Sequence, residues 1–226
     1  MRAEFLGSLS TLTSRTDTAM ITDITPPRTA LARQVEEYAR RISSDVLFNH
    51  SLRSYWFAEL FAQQEGITID SELVFLSAVL HDIGLTAQVI GTHRFEIEGA
   101  SAARAFLLER GVPNERAQLV WDNIALHTWD INEFRGDNSR IMQRGLAYDV
   151  TGLPDAALDP GDVAEVLRRY PRAKFKTAFD AILREEIDRK APYRHCFHIC
   201  TRVDHNRSPI EIVDAPVALA GAPFDE

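Results

Sequence analysis

The sequence predicts an all-α protein with about eight helices packed around a single core. Three observations carry that prediction. Apolar residues recur every three or four positions along most of the chain. Helix-start and helix-stop residues bracket those stretches. No stretch shows the alternating rhythm and tight turns of a strand protein, and no glycine-rich phosphate loop or internal repeat interrupts the pattern. With 226 residues, 45% of them apolar, the chain is long enough to bury one full core.

Residues 1–25 are rich in Ser and Thr, lack a period and are expected to form a flexible N-terminal arm that ends at Pro26-Pro27. The folded domain is expected over residues 26–208. From Arg28 to Ile42, the residues Leu31, Val35, Tyr38 and Ile42 make one stripe of a helix. Asp45 or Asn49 is expected to cap the next helix, which carries His50 in its first turn and buries Phe57, Leu60 and Phe61 before Gly66 stops it. The most apolar helix runs from Leu73 to His81-Asp82, with Asp70 as its cap and Gly84 expected in the left-handed conformation that ends a helix.

A loop over 85–94 leads to a helix from Phe95 to Arg110, stopped by Gly111 and Pro113. Asn114 is expected to cap the helix on which Ala117, Val120, Trp121, Ile124 and His127 share a face. A polar loop, 128–138, precedes a helix whose inner face holds Met142, Gly145, Leu146 and Asp149. Asp159-Pro160 starts a helix with Val163, Val166, Leu167 and Tyr170 inward. The last helix, about 173–188, carries Phe175, Phe179, Ile182 and Leu183. Residues 209–226 are apolar and proline-spaced without a period, and are expected to be a C-terminal tail.

The formal net charge of −8 argues against a general nucleic-acid or anionic-membrane binder, though not against a local basic pocket for a phosphate; the expected partner is a small-molecule substrate. No apolar run is long enough to span a bilayer, and the N-terminus lacks the layout of a secretory signal. The two cysteines, Cys196 and Cys200, are too few for a disulfide framework, so a cytoplasmic setting is expected. Their spacing, with His198 and His205 nearby, suits neighbouring helix faces better than a zinc knuckle. The oligomeric state is left open, with a homo-oligomer admissible.

Four groups face inward from three helices: His50, His81, Asp82 and Asp149. Burying imidazoles and carboxylates without partners is costly. A divalent metal in the core compensates all four at once, and bundles build metal sites in this way. Two nitrogens and two oxygens suit zinc, iron or manganese.

A histidine, then a His-Asp pair, then a distant aspartate is the order found in the HD-domain superfamily, and the chain resembles that family from about Val46 to Val150. The segments Asn49-His50-Ser51-Leu52-Arg53-Ser54-Tyr55, Leu80-His81-Asp82-Ile83-Gly84-Leu85, Arg94-Phe95-Glu96-Ile97-Glu98-Gly99-Ala100 and Ile124-Ala125-Leu126-His127-Thr128 are similar to its cyanamide hydratase group. The resemblance implies an HD-type helical bundle and one bound metal, zinc in the hydratases, held by His50, His81, Asp82 and Asp149. It also implies water addition to a small cyanamide- or nitrile-like carbon, giving a urea or an amide. Two positions depart from other HD proteins. Leu85 stands where many HD phosphohydrolases have a lysine, and Phe95 stands where two-metal members place a histidine, with His93 nearby as a substitute.

Within that reading Asp82 and His127 are the expected catalytic groups, with His127 as proton donor or shuttle. The alternative for His127 is a core histidine bonded to a backbone carbonyl. Phe95, Trp121 and Trp129 are candidate pocket walls or plain core. Glu96, Glu98, Asn123 and Thr128 are candidate polar contacts or orienters of the ligands. The first rival is an HD-type phosphohydrolase acting on a nucleotide or phosphomonoester, with Arg53, Arg94 and Arg104 as its cations. A diiron oxygenase would need a second metal held through His93 or His127. A degenerate module that binds without turnover is disfavoured by the complete ligand set.

Overall fold

The computed structural model describes residues 21, 24–152, 158–190, 221 and 223. Most of the expected arm and tail, and the Cys196, His198, Cys200 and His205 group, lie outside these residues. Among the described residues the chain forms eight α-helices and no strand. They are α1 (Ala30–Ile42), α2 (Asp45–Glu65), α3 (Ser71–Leu80), α4 (Phe95–Leu108), α5 (Asn114–Ala125), α6 (Asp137–Thr151), α7 (Pro160–Arg169) and α8 (Phe175–Lys190). Short 3-10 turns cover Ile83–Leu85 and Asp130–Phe134. No described helix is long and apolar enough to cross a membrane.

The 21-residue α2 is the axis of the bundle, buried almost continuously from Leu47 to Ala62. Ser44 caps it by accepting from the Leu47 amide, in place of Asp45 or Asn49, so His50 falls in the second turn rather than the first. A serine hydroxyl one residue before the helix reaches that amide, whereas Asn49 already lies inside the helix and donates to the Pro171 carbonyl. Asp70 caps α3 as expected, accepting from Leu73 at 2.9 Å. Asp159 caps α7, with Pro160 at its first position. Asn114 does not cap α5; Pro113 takes that place and Asn114 accepts from Arg104 across to α4.

Gly84 is needed for closeness rather than for handedness. It lacks the left-handed φ expected of it; Gly66, Gly111, Gly136 and Gly152 adopt that conformation instead. A Cβ on Gly84 would stand 1.9 Å from the Phe95 carbonyl oxygen, and one on Gly99 would stand 2.9 Å from the Gly84 nitrogen. The end of the His-Asp segment is thereby pressed onto the first turns of α4.

A second close approach sets the geometry of the core. Helices α2 and α6 run antiparallel with Gly145 at their crossing, where a Cβ would meet the Ser54 carbonyl oxygen at 2.3 Å and the Ala58 nitrogen at 2.6 Å. One turn along each helix this places Asp149 against His50 and Arg53. Both clashing atoms are backbone, so Gly145→Ala is expected to destabilise the fold by about 1–3 kcal/mol through overpacking. Urea unfolding checks this, and an unchanged midpoint would show that the two helices can part at no cost.

Candidate metal centre

Two segments, α2 and the end of α3, bring His50, His81 and Asp82 together, each no more than 3% exposed. His81 is the residue at which α3 ends while still in α-helical conformation, so its ring stays beneath the last turn. There Nδ1 lies 2.8 Å from the Ala78 carbonyl oxygen. A carbonyl only accepts, so Nδ1 carries the hydrogen and Nε2 carries the lone pair. That Nε2 sits 3.1 Å from Asp82 Oδ2. His50 repeats the arrangement, with Nδ1 2.7 Å from Asp149 Oδ2 and Nε2 3.6 Å from Asp82 Oδ2. So does His127, just past α5, with Nδ1 2.6 Å from the Ile124 carbonyl and Nε2 3.7 Å from Asp82 Oδ1.

Three imidazole lone pairs therefore converge on one carboxylate. Lone pair facing lone pair is repulsive unless a cation lies between, and Asp82 Oδ2 is buried without a hydrogen-bond partner. Either a proton on an imidazole or a metal ion satisfies it. His50, His81 and Asp82 offer three ligand atoms within 4.8 Å of one another, so the residues present fit a single divalent ion. Three protein ligands leave coordination positions open, which is the hallmark of catalytic rather than structural sites.

The electrostatics follow from burial and these contacts. Burial alone would raise the Asp82 pKa, but His81, His50 and His127 outweigh it and hold the carboxyl well below the usual range. Burial opposes protonation of His81, yet the adjacent Asp82 carries its pKa upward. Burial lowers the His50 pKa in spite of Asp149. His127 is pushed down to about 4, first by burial and then by the neighbouring His81, against the pull of Asp82 and Glu96. It is therefore neutral at pH 7.

Asp149 faces inward as expected, but its carboxylate does not join the three-residue cluster. Its oxygens accept from Arg53 at 2.7 and 2.8 Å, from Arg172 at 3.1 Å and from His50 Nδ1. Burial would raise its pKa; Arg53 and His50 outweigh that and hold it low. Phe175 and Phe179 of α8 pack on the His50 ring at 4.8 and 5.6 Å. Arg172, Phe175 and Phe179 were not singled out as site residues from the sequence. The i, i+4 phenylalanines read only as core, and nothing local marks Arg172, which a turn of positive φ at Ala173 and Lys174 turns back onto α6.

The other expected residues divide into two groups. Phe95, 5% exposed, lies edge-on to His127 at 5.7 Å between ring centroids. Buried Glu96 accepts from Arg94 and from Thr128, and Arg94 covers the Trp129 ring at 5.2 Å, so these residues form one patch beside His127. Trp121 and Asn123 are used elsewhere. The Trp121 ring nitrogen donates to Ser101 between α5 and α4. The Asn123 amide is taken by Ser77 and Ser139, tying α5 to α3 and α6. His93 is exposed in a loop and its backbone N–H donates to Glu98, so it does not reach the cluster.

The proposed phosphate-binding cations are similarly engaged. Arg53 is paired with Asp149, Arg94 with Glu96, and Arg104 with the Asn114 amide.

Comparison with known proteins agrees with this architecture. Residues 47–149 match the family model of the HD domain, a span that opens just before His50 and closes on Asp149. Two proteins of Saccharomyces cerevisiae, cyanamide hydratase DDI2 and cyanamide hydratase DDI3, are each 24% identical to this chain over 182 residues. Those alignments cover 76% of this chain and 79% of each relative. Together with the buried His-His-Asp cluster these findings support a metal-dependent enzyme of the HD type. The cluster residues His50, His81 and Asp82 all lie inside the stretch of this chain that matches the HD domain.

Proposed function

We propose that the protein is a metal-dependent hydratase that adds water to a small cyanamide- or nitrile-like substrate, giving a urea or an amide. The observation that carries this reading is the two-sided environment of Asp82. Its Oδ2 faces the two imidazoles suited to hold an ion, and its Oδ1 faces the neutral His127. His50, His81 and Asp82 would hold the ion, for which zinc is the first choice and iron or manganese the alternatives. When bound, such an ion lowers the pKa of a water ligand and polarises a nitrile nitrogen.

The chain's own groups do the rest. His127 is locked in one tautomer by its Nδ1–H bond to Ile124, so its free Nε2 can only accept at the start of a cycle. It takes a proton from the attacking water as the new carbon–oxygen bond forms. The resulting imidazolium then returns that proton to the nitrogen that gains charge as the triple bond opens. Transfer of the remaining hydroxyl hydrogen to nitrogen gives the amide or urea, with one water consumed and nothing released. Phe95 walls the His127 ring from solvent, and Glu96, held by Arg94 and Thr128, offers compensating negative charge while the ring is cationic.

The similarity to the yeast cyanamide hydratases supports the substrate class. Leu85 in place of a lysine, and the engagement of Arg53, Arg94 and Arg104, weigh against phosphate chemistry. Zinc-loaded protein is expected to convert cyanamide to urea, and a chelator to stop it. Failure to hydrate cyanamide or any small nitrile with metal bound would overturn the proposal, and turnover of a nucleotide panel with Mn²⁺ would replace it by the phosphohydrolase. His127→Gln is expected to keep its metal and lose about 10²–10⁴-fold in kcat, the range for a general acid–base group. Loss of metal in that variant would instead make His127 a ligand.

A further inference from the structure

We infer that the hydrogen bond between Asn123 and Ser77 is a clamp that sets the distance between the His127 and His81 rings, which makes Asn123 a positioning residue for proton transfer. This rests on the role proposed above for His127 and extends it to the residues that hold that ring in place. The backbone anchor of each ring lies in its own helix. His81 Nδ1 donates to the Ala78 carbonyl of α3 at 2.8 Å, and His127 Nδ1 donates to the Ile124 carbonyl of α5 at 2.6 Å. One position before each anchor stand Ser77 and Asn123, and these two join the helices, Asn123 Nδ2 donating to Ser77 Oγ at 3.1 Å. The link therefore sits beside both anchors. One turn further along, the two rings meet edge to face with centroids 4.9 Å apart.

Apolar packing does not set that distance by itself. Helix α3 is buried along its whole apolar length from Leu73 to Leu80. Apolar attraction is non-directional, so it presses the helices together without fixing how far one slides along the other. A hydrogen bond is directional, and sliding would leave its buried donor without a partner. Ser77 is fully buried and Asn123 is 1% exposed, so water does not replace either group. The rest of Asn123 is held too. Its Oδ1 accepts from Ser139 Oγ of α6 at 2.6 Å and from Arg135 Nη1 at 3.4 Å, and its backbone carbonyl accepts from Asn132 Nδ2 at 3.5 Å. A buried polar network satisfied in this way rigidifies the elements it joins. With amide oxygen and nitrogen both engaged, Asn123 acts through the histidines rather than on substrate. Misplacing a reacting group by about 1 Å can cost about 100-fold in rate, so the clamp bears directly on proton transfer by His127.

The test is a double-mutant cycle on zinc-loaded protein with cyanamide, using Ser77→Ala, His127→Gln and the two combined. Ser77→Ala takes away the acceptor at the cost of one oxygen atom. It is expected to keep its zinc and its KM and to lose about 10–100-fold in kcat. In the His127→Gln background the same substitution is expected to change kcat hardly at all, because the group it positions is gone. An equal loss in both backgrounds, no loss in either, or loss of zinc would show that the pair only holds helices together or acts on the ion, and would overturn the inference. A second readout needs no turnover. In histidine-labelled protein the cross-relaxation between the His81 and His127 ring protons is measured by NMR, with His127→Gln assigning the signal. It is expected to weaken in Ser77→Ala and in Asn123→Leu, which removes the donor instead. Unchanged cross-relaxation in the variants would overturn the clamp whether or not the protein hydrates cyanamide. Zinc-loaded wild type that hydrates nothing would overturn the substrate assignment, and the ring distance would then decide the clamp alone.

Discussion

Asp82→Ala protein is expected to come out of purification without stoichiometric metal and without turnover, although still folded. The reason is the central place of this carboxylate among the imidazoles. It is the group that His50, His81 and His127 all face, and it is the negative charge that makes a divalent ion favourable in a buried pocket. With alanine there, an ion held by His50 and His81 would lose the negative charge that offsets its burial. Metal affinity is expected to fall by more than the about 100-fold that marks the upper end for an outer partner. Elemental analysis and a urea-release assay on the same preparation check this. A variant that retains one ion per chain and wild-type turnover would remove Asp82 from the site altogether.

The same residue shows why part of the site is legible in the sequence and part is not. His81 and Asp82 could be read because they close an apolar helix, where burial without partners is costly, and with His50 they stand in the order found in HD proteins. His127 was legible from the helical spacing that leads up to it, although α5 ends at Ala125, and its bond to Ile124 satisfies the bland reading and the functional one together, because fixing Nδ1 is what frees Nε2. Periodicity gives direction but not contact. Asp149 points inward as its stripe requires, yet its carboxylate meets two arginines and the back of His50, and neither pairing has a signature in local spacing. Arg172 lies beyond α7 in a turn, where no period applies. Gly84 failed as a helix terminator for a related reason. A glycine can serve a left-handed turn or a close approach, and only the position of Phe95 distinguishes the two.

Arg53→Ala is expected to cost about 3–5 kcal/mol of folding stability, the range for breaking a buried ion pair from one side. Arg53 is fully buried and does more than meet Asp149. Its remaining nitrogen donates to the carbonyls of Tyr170 and Pro171 at 3.2 Å each, so it also anchors the turn from α7 to α8 onto the axis helix. Alanine would leave the Asp149 charge with Arg172 and His50 alone and would take a donor from the Tyr170 carbonyl, whereas the Pro171 carbonyl keeps Asn49. For a domain of this size the loss corresponds to a melting temperature lower by roughly 6–20 °C. Arg53→Lys is expected to recover little, since a single ammonium cannot reproduce the fork. The sign of the pH dependence is fixed by Asp149. Its pKa is held below the unfolded value, so its contribution is fully present above the unfolded pKa of about 3.9 and is lost as pH falls through the folded one. The gap between wild type and Arg53→Ala should therefore be full at pH 7 and narrow in strong acid. Thermal unfolding at both pH values measures it, and a neutral-pH gap under about 1 kcal/mol would reduce this pair to the standing of a surface salt bridge.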